Sequence, residues 1–199
     1  MNLLQINTSP RSGDSMSTKF ANQIVEKIKS QHQDVQLDVL DLGQKAHAIL
    51  DEMAIGALFT PANARSEAQK ARVVVDDALI AQAQWADTLV IGVPMYNFGI
   101  PVQLKAWLDA IARAGVTFRY TDQGPEGLLT GKKVYLALAR GGIYRDTAND
   151  TQVPYLNMIL GFLGMTDLSY VYAEGFAMGP EAGAKAIHDA ESQIQALFA

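Results

Sequence analysis

Three short stretches collect the residues able to hold a small molecule. The first is Ser9-Pro10-Arg11-Ser12-Gly13-Asp14-Ser15-Met16-Ser17, which combines several hydroxyls with one guanidinium just ahead of a helical pattern. That set suits a phosphate monoester. Free amides at a helix start and the positive end of the helix dipole favour an anion, hydroxyls donate to its oxygens, and Arg11 adds charge. An N-capped helix behind a polar turn explains the same residues without a ligand. The second stretch, Pro94-Met95-Tyr96-Asn97-Phe98-Gly99-Ile100-Pro101, puts Met, Tyr and Phe at a strand end. Such side chains are costly there unless something flat and apolar covers them, as an isoalloxazine ring would, with backbone donors near Asn97 reaching its polar edge. A dimer contact or a core plug is the alternative. The third, Ala139-Arg140-Gly141-Gly142-Ile143-Tyr144, has paired glycines that let the backbone approach a ligand and expose N–H donors, or that simply make a turn.

Other chemistries lack their residues. Nothing matches a Walker A loop, because Gly131-Lys132-Lys133 lacks the earlier glycine and the closing hydroxyl, and no G-x-G-x-x-G follows a strand. Gly13-Asp14-Ser15 resembles the nucleophile block of GDS-type esterases, yet His188 has Lys185 where those enzymes place Asp, so Ser15 has no identifiable base. The chain has no cysteine, which removes disulfides, thiolate catalysis and Cys-bound metals together. His32, His47 and His188 read as solvated or structural, and no metal set has credible spacing. Asp76-Asp77 reads as a solvated helix face, the methionines as mostly core, and Trp85 and Trp107 as packing helices against a sheet.

The elements that must position these loops alternate in type. Leu3, Leu4 and Ile6 mark a first strand, and Met16, Phe20, Ala21, Ile24, Val25 and Ile28 recur at helical spacing behind Ser15 or Ser17 as cap. Val35 to Leu42 alternates as a second strand. Residues 43 to 66 form an unusually long connection with room for a short helix at Ile49 to Phe59. A helix over Ala68 to Ala83, a strand over Ala86 to Val93 and a helix led by Pro101 follow. Phe118 to Tyr120 and Gly124 to Gly127 read as a hairpin-like excursion. The remainder is a strand at Lys133 to Leu138, a helix at Pro154 to Leu163 closed by Gly164, a strand at Leu168 to Val171 and a helix at Glu181 to Phe198. Strands alternating with helices imply a parallel sheet covered on both faces, an α/β protein of three layers, with ligands outside the carboxyl ends of the strands.

With 199 residues the chain suits one compact domain, read as 1–199 with an excursion at about 43–66. A net charge of −5 is too acidic for charge-driven nucleic-acid binding. The start of the chain lacks a signal-peptide pattern and no long apolar run suggests a membrane span, so a cytoplasmic protein is expected.

Together the first loop with Ser15-Met16-Ser17, Pro94 to Phe98 and Arg140-Gly141-Gly142 resembles the FMN-dependent NADH-azoreductases, flavodoxin-like NAD(P)H:quinone oxidoreductases. Phe118-Arg119-Tyr120, Gly124 to Gly127, Gly161 to Gly164 and Ala173-Glu174-Gly175 extend the likeness over essentially the whole chain. The resemblance implies a flavodoxin-like α/β/α sandwich whose five parallel strands run in the order 2-1-3-4-5. It also implies a homodimer with one non-covalent FMN per subunit at the interface, reduced by NADH or NADPH and reoxidised by quinones or azo compounds in a ping-pong cycle of hydride transfer at flavin N5. On matching positions it assigns FMN to Ser9, Arg11, Ser15, Met16, Ser17, Pro94, Met95, Tyr96, Asn97, Phe98, Ala139, Arg140, Gly141 and Gly142, with Asn97 orienting the ring and no catalytic side chain required. Tyr120, Phe162 and Tyr144 would line the substrate pocket, Phe162 donated by the other subunit. Three positions depart from the family pattern, which has Gln at Met16, Ser at Ala139 and His at Tyr144. The rival readings are an FMN electron carrier, a flavin reductase and, after them, the esterase.

Overall fold

The computed structural model describes residues 1–11 and 13–199, so Ser12 of the first loop lies outside the described residues. Five parallel strands form one sheet: β1 (Asn2–Asn7), β2 (Gln36–Asp41), β3 (Thr88–Pro94), β6 (Lys133–Arg140) and β7 (Asp167–Glu174), in the order β2-β1-β3-β6-β7. This is the order the resemblance implied. A separate antiparallel hairpin, β4 (Phe118–Thr121) with β5 (Gly124–Gly127), makes up the expected excursion.

Alternation along the central strands separates two cores. Leu3, Val90, Ala137 and Val171 face α1 (Met16–Gln31) and α6 (Pro180–Leu197), where Phe20, Ile24, Ile28 and Ile194 close the layer. Leu4, Ile6, Leu89, Ile91, Leu136 and Leu138 face the opposite way. They meet Leu79 and Ile80 of α3 (Glu67–Trp85), Leu104 and Trp107 of α4 (Val102–Ile111), and Leu156 and Leu160 of α5 (Gln152–Phe162). The strands are apolar on both faces because each face is buried, and each large side chain removed from water contributes roughly 1.5–3 kcal/mol.

The long connection contains α2 (Glu52–Phe59), started by Asp51 accepting from the Ala54 N–H, and a 3-10 turn at Ala62–Ala64. Ser66 and Gln69 form a reciprocal capping box that starts α3. The excursion also corrects one expectation. Asp76 is buried, not solvated: its Oδ1 accepts from Arg72 Nε at 2.8 Å and lies 2.7 Å from His47 Nε2. The segment after β2 folds across α3, as the bond from Arg72 Nη1 to the Ile49 carbonyl shows. Trp107 is fully buried and Trp85 packs against the core as expected. The methionines do not follow expectation, since Met53, Met158 and Met178 are exposed. No helix among the described residues is long and apolar enough to cross a membrane.

Candidate functional site

The carboxyl ends of β1, β3 and β6 converge on one cleft, and the local sequence explains how each loop gets there. Ser15 caps α1: its Oγ accepts from the Thr18 N–H at 3.3 Å and from Thr18 Oγ1 at 3.1 Å, and it shares a hydrogen bond of 3.0 Å with Ser17 Oγ. Among the described residues, no acceptor takes the N–H groups of Met16 or Ser17. Two donors and a hydroxyl pair therefore remain at the positive end of the helix. Gly43 supports this loop from beneath, where any Cβ would overlap the Ser9 carbonyl. Tyr96 closes the loop from the side, its hydroxyl 3.2 Å from Ser9 Oγ.

The second loop turns back through a pair of hydrogen bonds between Tyr96 and Gly99, with Asn97 and Phe98 at the tip at φ 48° and 65°. Non-glycine residues rarely adopt this left-handed backbone, and each costs about 1–3 kcal/mol when they do. The geometry leaves the N–H groups of Asn97 and Phe98 without acceptors among the described residues. In the third loop Tyr144 lies directly over Gly142, where a Cβ would meet its hydroxyl at 2.5 Å, and its ring packs edge-on against Phe98 at 5.5 Å. The N–H groups of Gly141 and Gly142 are likewise without acceptors among the described residues.

Two compartments result. One, of about 300 Å³, is lined by Ser9, Arg11, Asp14, Ser15, Met16, Ser17, Pro94, Met95, Tyr96, Ala139, Arg140, Gly141, Phe176 and Ala177. The other, of about 280 Å³, is lined by Met95, Asn97, Phe98, Gly141, Gly142, Tyr144 and Ala177. They share Met95, Gly141 and Ala177, so together they make one run, with the hydroxyls of Ser9, Ser15 and Ser17 at the α1 end and Phe98 and Tyr144 at the other. This is the size and character of a small-molecule site.

Every expected cofactor-binding position lies on this run, with one change of role. The Arg140 side chain is fully buried and faces inward, bonded twice to Asp150 (2.8 and 3.0 Å), to Glu174 (3.0 Å) and to Gln152 (3.2 Å), so only its main chain reaches the cleft. It also lies 5.5 Å from the Tyr172 ring, whose phenol burial pushes above its ordinary range. Tyr120 and Phe162 are elsewhere, gathered around Phe118 with ring centroids 5.6 and 4.5 Å from it. Three lining residues were not anticipated: Asp14, Phe176 and Ala177. The last two follow Ala173-Glu174-Gly175, and attention to the loop after the fifth strand would have found them. The esterase reading loses its nucleophile, because Ser15 Oγ is committed to the cap and no histidine lines either compartment.

The run also fits FMN. Hydroxyls and free amides at the α1 start match a phosphate, apolar walls at Met95, Phe98, Tyr144 and Phe176 match a flat ring, and the unclaimed N–H groups of residues 97, 98, 141 and 142 match its polar edges. Arg11 and Asp14 balance each other in formal charge, so the anion's support comes mainly from amides and hydroxyls.

Comparison with known proteins points the same way. The family model described as the flavodoxin-like fold matches residues 1–198. The chain is 59% identical over 199 residues, the whole of both chains, to the FMN-dependent NADH:quinone oxidoreductase of Dechloromonas aromatica. It is 60% identical, again over the whole of both, to the protein of the same name from Aromatoleum aromaticum. Among solved structures, the FMN-dependent NADH-azoreductase of Bacillus anthracis in complex with FMN superposes with a TM-score of 0.87 at 27% identity, covering 100% of each chain.

Proposed function

The chain belongs to the family of the flavodoxin-like fold, and on that footing we propose that it is an FMN-dependent oxidoreductase that passes electrons from NADH or NADPH to quinones and azo compounds. The observation that carries this reading is the two-part cleft, with serine hydroxyls and unclaimed N–H groups at the α1 start and Met95, Phe98 and Tyr144 beside further unclaimed N–H groups at the other end. The full-length similarity to FMN-dependent NADH:quinone oxidoreductases supports it.

Bound non-covalently, FMN would supply the two-electron chemistry that links the nicotinamide donor to the acceptor. The chain's own work is binding, orientation and exclusion of water. Ser9, Ser15 and Ser17 hold the phosphate end, with the N–H groups of Met16 and Ser17 and with Arg11 beside it. Pro94, Met95 and Tyr96 form the wall, while the amides of Asn97, Phe98, Gly141 and Gly142 would hold the ring and stabilise added negative charge. Met16 replaces a glutamine of the family pattern but keeps its main-chain donor. Ala139 gives up a hydroxyl, and Tyr144 offers the acceptor a hydroxyl in place of an imidazole.

Residues 1–199 act as one FMN-binding domain in this reading, with 43–66 as its excursion, and the protein works in the cytoplasm as a homodimer. The dimer is supported by what the cleft lacks on its own chain. Tyr120 and Met158 are each 75% exposed, and Tyr120 and Phe162 lie away from their own cleft, where a second copy would use them to line its substrate pocket.

Titration of FMN into Ser17→Ala and Ser17→Asp proteins tests the assignment of the phosphate. We expect weaker binding in both, with Asp the weaker by at least tenfold through like-charge repulsion. Wild-type affinity in both would move the phosphate off the first loop.

A further inference from the structure

The strained tip at Asn97 and Phe98 must be held by something, and its restraints come from the start of α5. Gln152 is 1% exposed. Its Nε2 donates to the carbonyls of Pro94 at 3.0 Å and Gly99 at 3.1 Å, the two ends of the loop, while its Oε1 accepts from Arg140 Nε at 3.2 Å. The neighbouring Thr151 hydroxyl donates to the Phe98 carbonyl. Arg140 in turn pairs with Asp150 and Glu174, and Glu174 Oε1 accepts from the N–H groups of Tyr144 at 2.9 Å and Arg145 at 3.0 Å. One buried network thus ties the loop after β3 to the loop after β6. Gln152 is its only member that touches both ends of the first.

We propose that Gln152 is a positioning residue for the cofactor: its amide fixes the distance between the Pro94 and Gly99 carbonyls and so holds Asn97 and Phe98, whose N–H groups have no acceptor among the described residues, in place along the cleft. The inference rests on the reading that FMN occupies that cleft. A leucine of similar size cannot donate to the two carbonyls. A glutamate keeps the shape and an acceptor for Arg140, but presents a carboxylate to two carbonyl oxygens. Either change lets the tip relax toward ordinary backbone and moves its donors. Because those donors stabilise electron density gained by the bound ring, their displacement weakens binding of reduced FMN more than of oxidised FMN.

The test is the midpoint potential of bound FMN, measured together with oxidised-FMN affinity and melting temperature in the wild type, Gln152→Leu, Gln152→Glu and Gln193→Leu. The last is a matched control, since Gln193 bridges the N–H and carbonyl of Tyr172 through bonds of 3.0 and 2.9 Å and lines neither compartment of the cleft. In the Gln152 variants we expect a potential lowered by about 30 mV, the equivalent of a tenfold differential in affinity for a two-electron couple. In Gln193→Leu we expect a lowered melting temperature at an unchanged potential. If Gln152→Leu does not fold, Gln152→Glu carries the test alone. A wild-type potential in the Gln152 variants overturns the positioning role and leaves the proposed function standing. Failure of the wild type to bind FMN overturns both.

Discussion

Two buried clusters of charge flank the sheet, and they are built to different standards. Around Arg140 every guanidinium nitrogen has a partner, with Asp150, Glu174 and Gln152 as acceptors. On the side of β2, Arg72 and Arg113 converge on Asp76 beside His47, yet among the described residues Arg72 Nη2 and Arg113 Nε and Nη2 find no hydrogen-bond partner. His47 Nε2 stands 2.7 Å from Asp76 without the alignment of a hydrogen bond. The first cluster lies behind the loops of the cleft, and the second fastens an excursion onto a helix. A fully satisfied polar network rigidifies what it touches, whereas a partly satisfied one leaves slack. The rigidity lies behind the loops of the proposed cofactor cleft.

The sharpest way to break this comparison is to remove one acceptor from the saturated cluster. Asp150→Ala leaves the Arg140 guanidinium buried with two of its four hydrogen bonds gone, and we expect a loss of about 3–5 kcal/mol in urea unfolding. A loss below about 1 kcal/mol would make the two clusters equivalent. Arg113→Met removes a guanidinium that already has unpartnered nitrogens and keeps much of its volume. Here the expected change is within about 1 kcal/mol of wild type by the same measurement, because Asp76 keeps Arg72 Nε at 2.8 Å, the Arg113 contact to it is long at 3.7 Å, and the other partner, Asp77, is exposed to water. A cost equal to that of Asp150→Ala would erase the distinction.

His47 gives the smallest effect and the most specific signature. Burial first, then the Arg72 charge, lowers its pKa below the ordinary value of 6.5, although Asp76 opposes the shift. A histidine depressed on folding binds its proton more readily in the unfolded chain. Stability should therefore be intact above about pH 6.5 and fall as pH drops toward the folded pKa, levelling off below it. In His47→Gln that fall should be reduced when melting temperatures are followed from pH 7.5 to 5. An unchanged slope would assign the acid sensitivity to other groups.

The sheet and its helices were legible in the sequence because local periods report them. Leu89-Val90-Ile91 is buried on alternating faces, and the apolar stripe from Phe20 to Ile28 lies on the sheet behind a serine cap. Much of the cleft was legible for the same reason, since its loops begin where those strands end. What escaped depends on contacts distant in sequence. Asp76 looks solvated within α3 and becomes buried only when the segment around His47 and Ile49 folds over it. Gln152 carries no motif, and its meaning lies in carbonyls more than fifty residues away at Pro94 and Gly99. Arg140 could be placed at the site, but the direction of its side chain is set by Asp150 and Glu174.

The central claim, that the cleft holds FMN which the nicotinamide donor reduces and a quinone reoxidises, is tested most directly by the visible spectrum of the FMN-loaded protein under anaerobic conditions. Addition of NADH should bleach the yellow absorbance, and subsequent addition of a quinone should restore it. Protein that takes up no FMN, or bound FMN that stays yellow after both NADH and NADPH, would contradict the account.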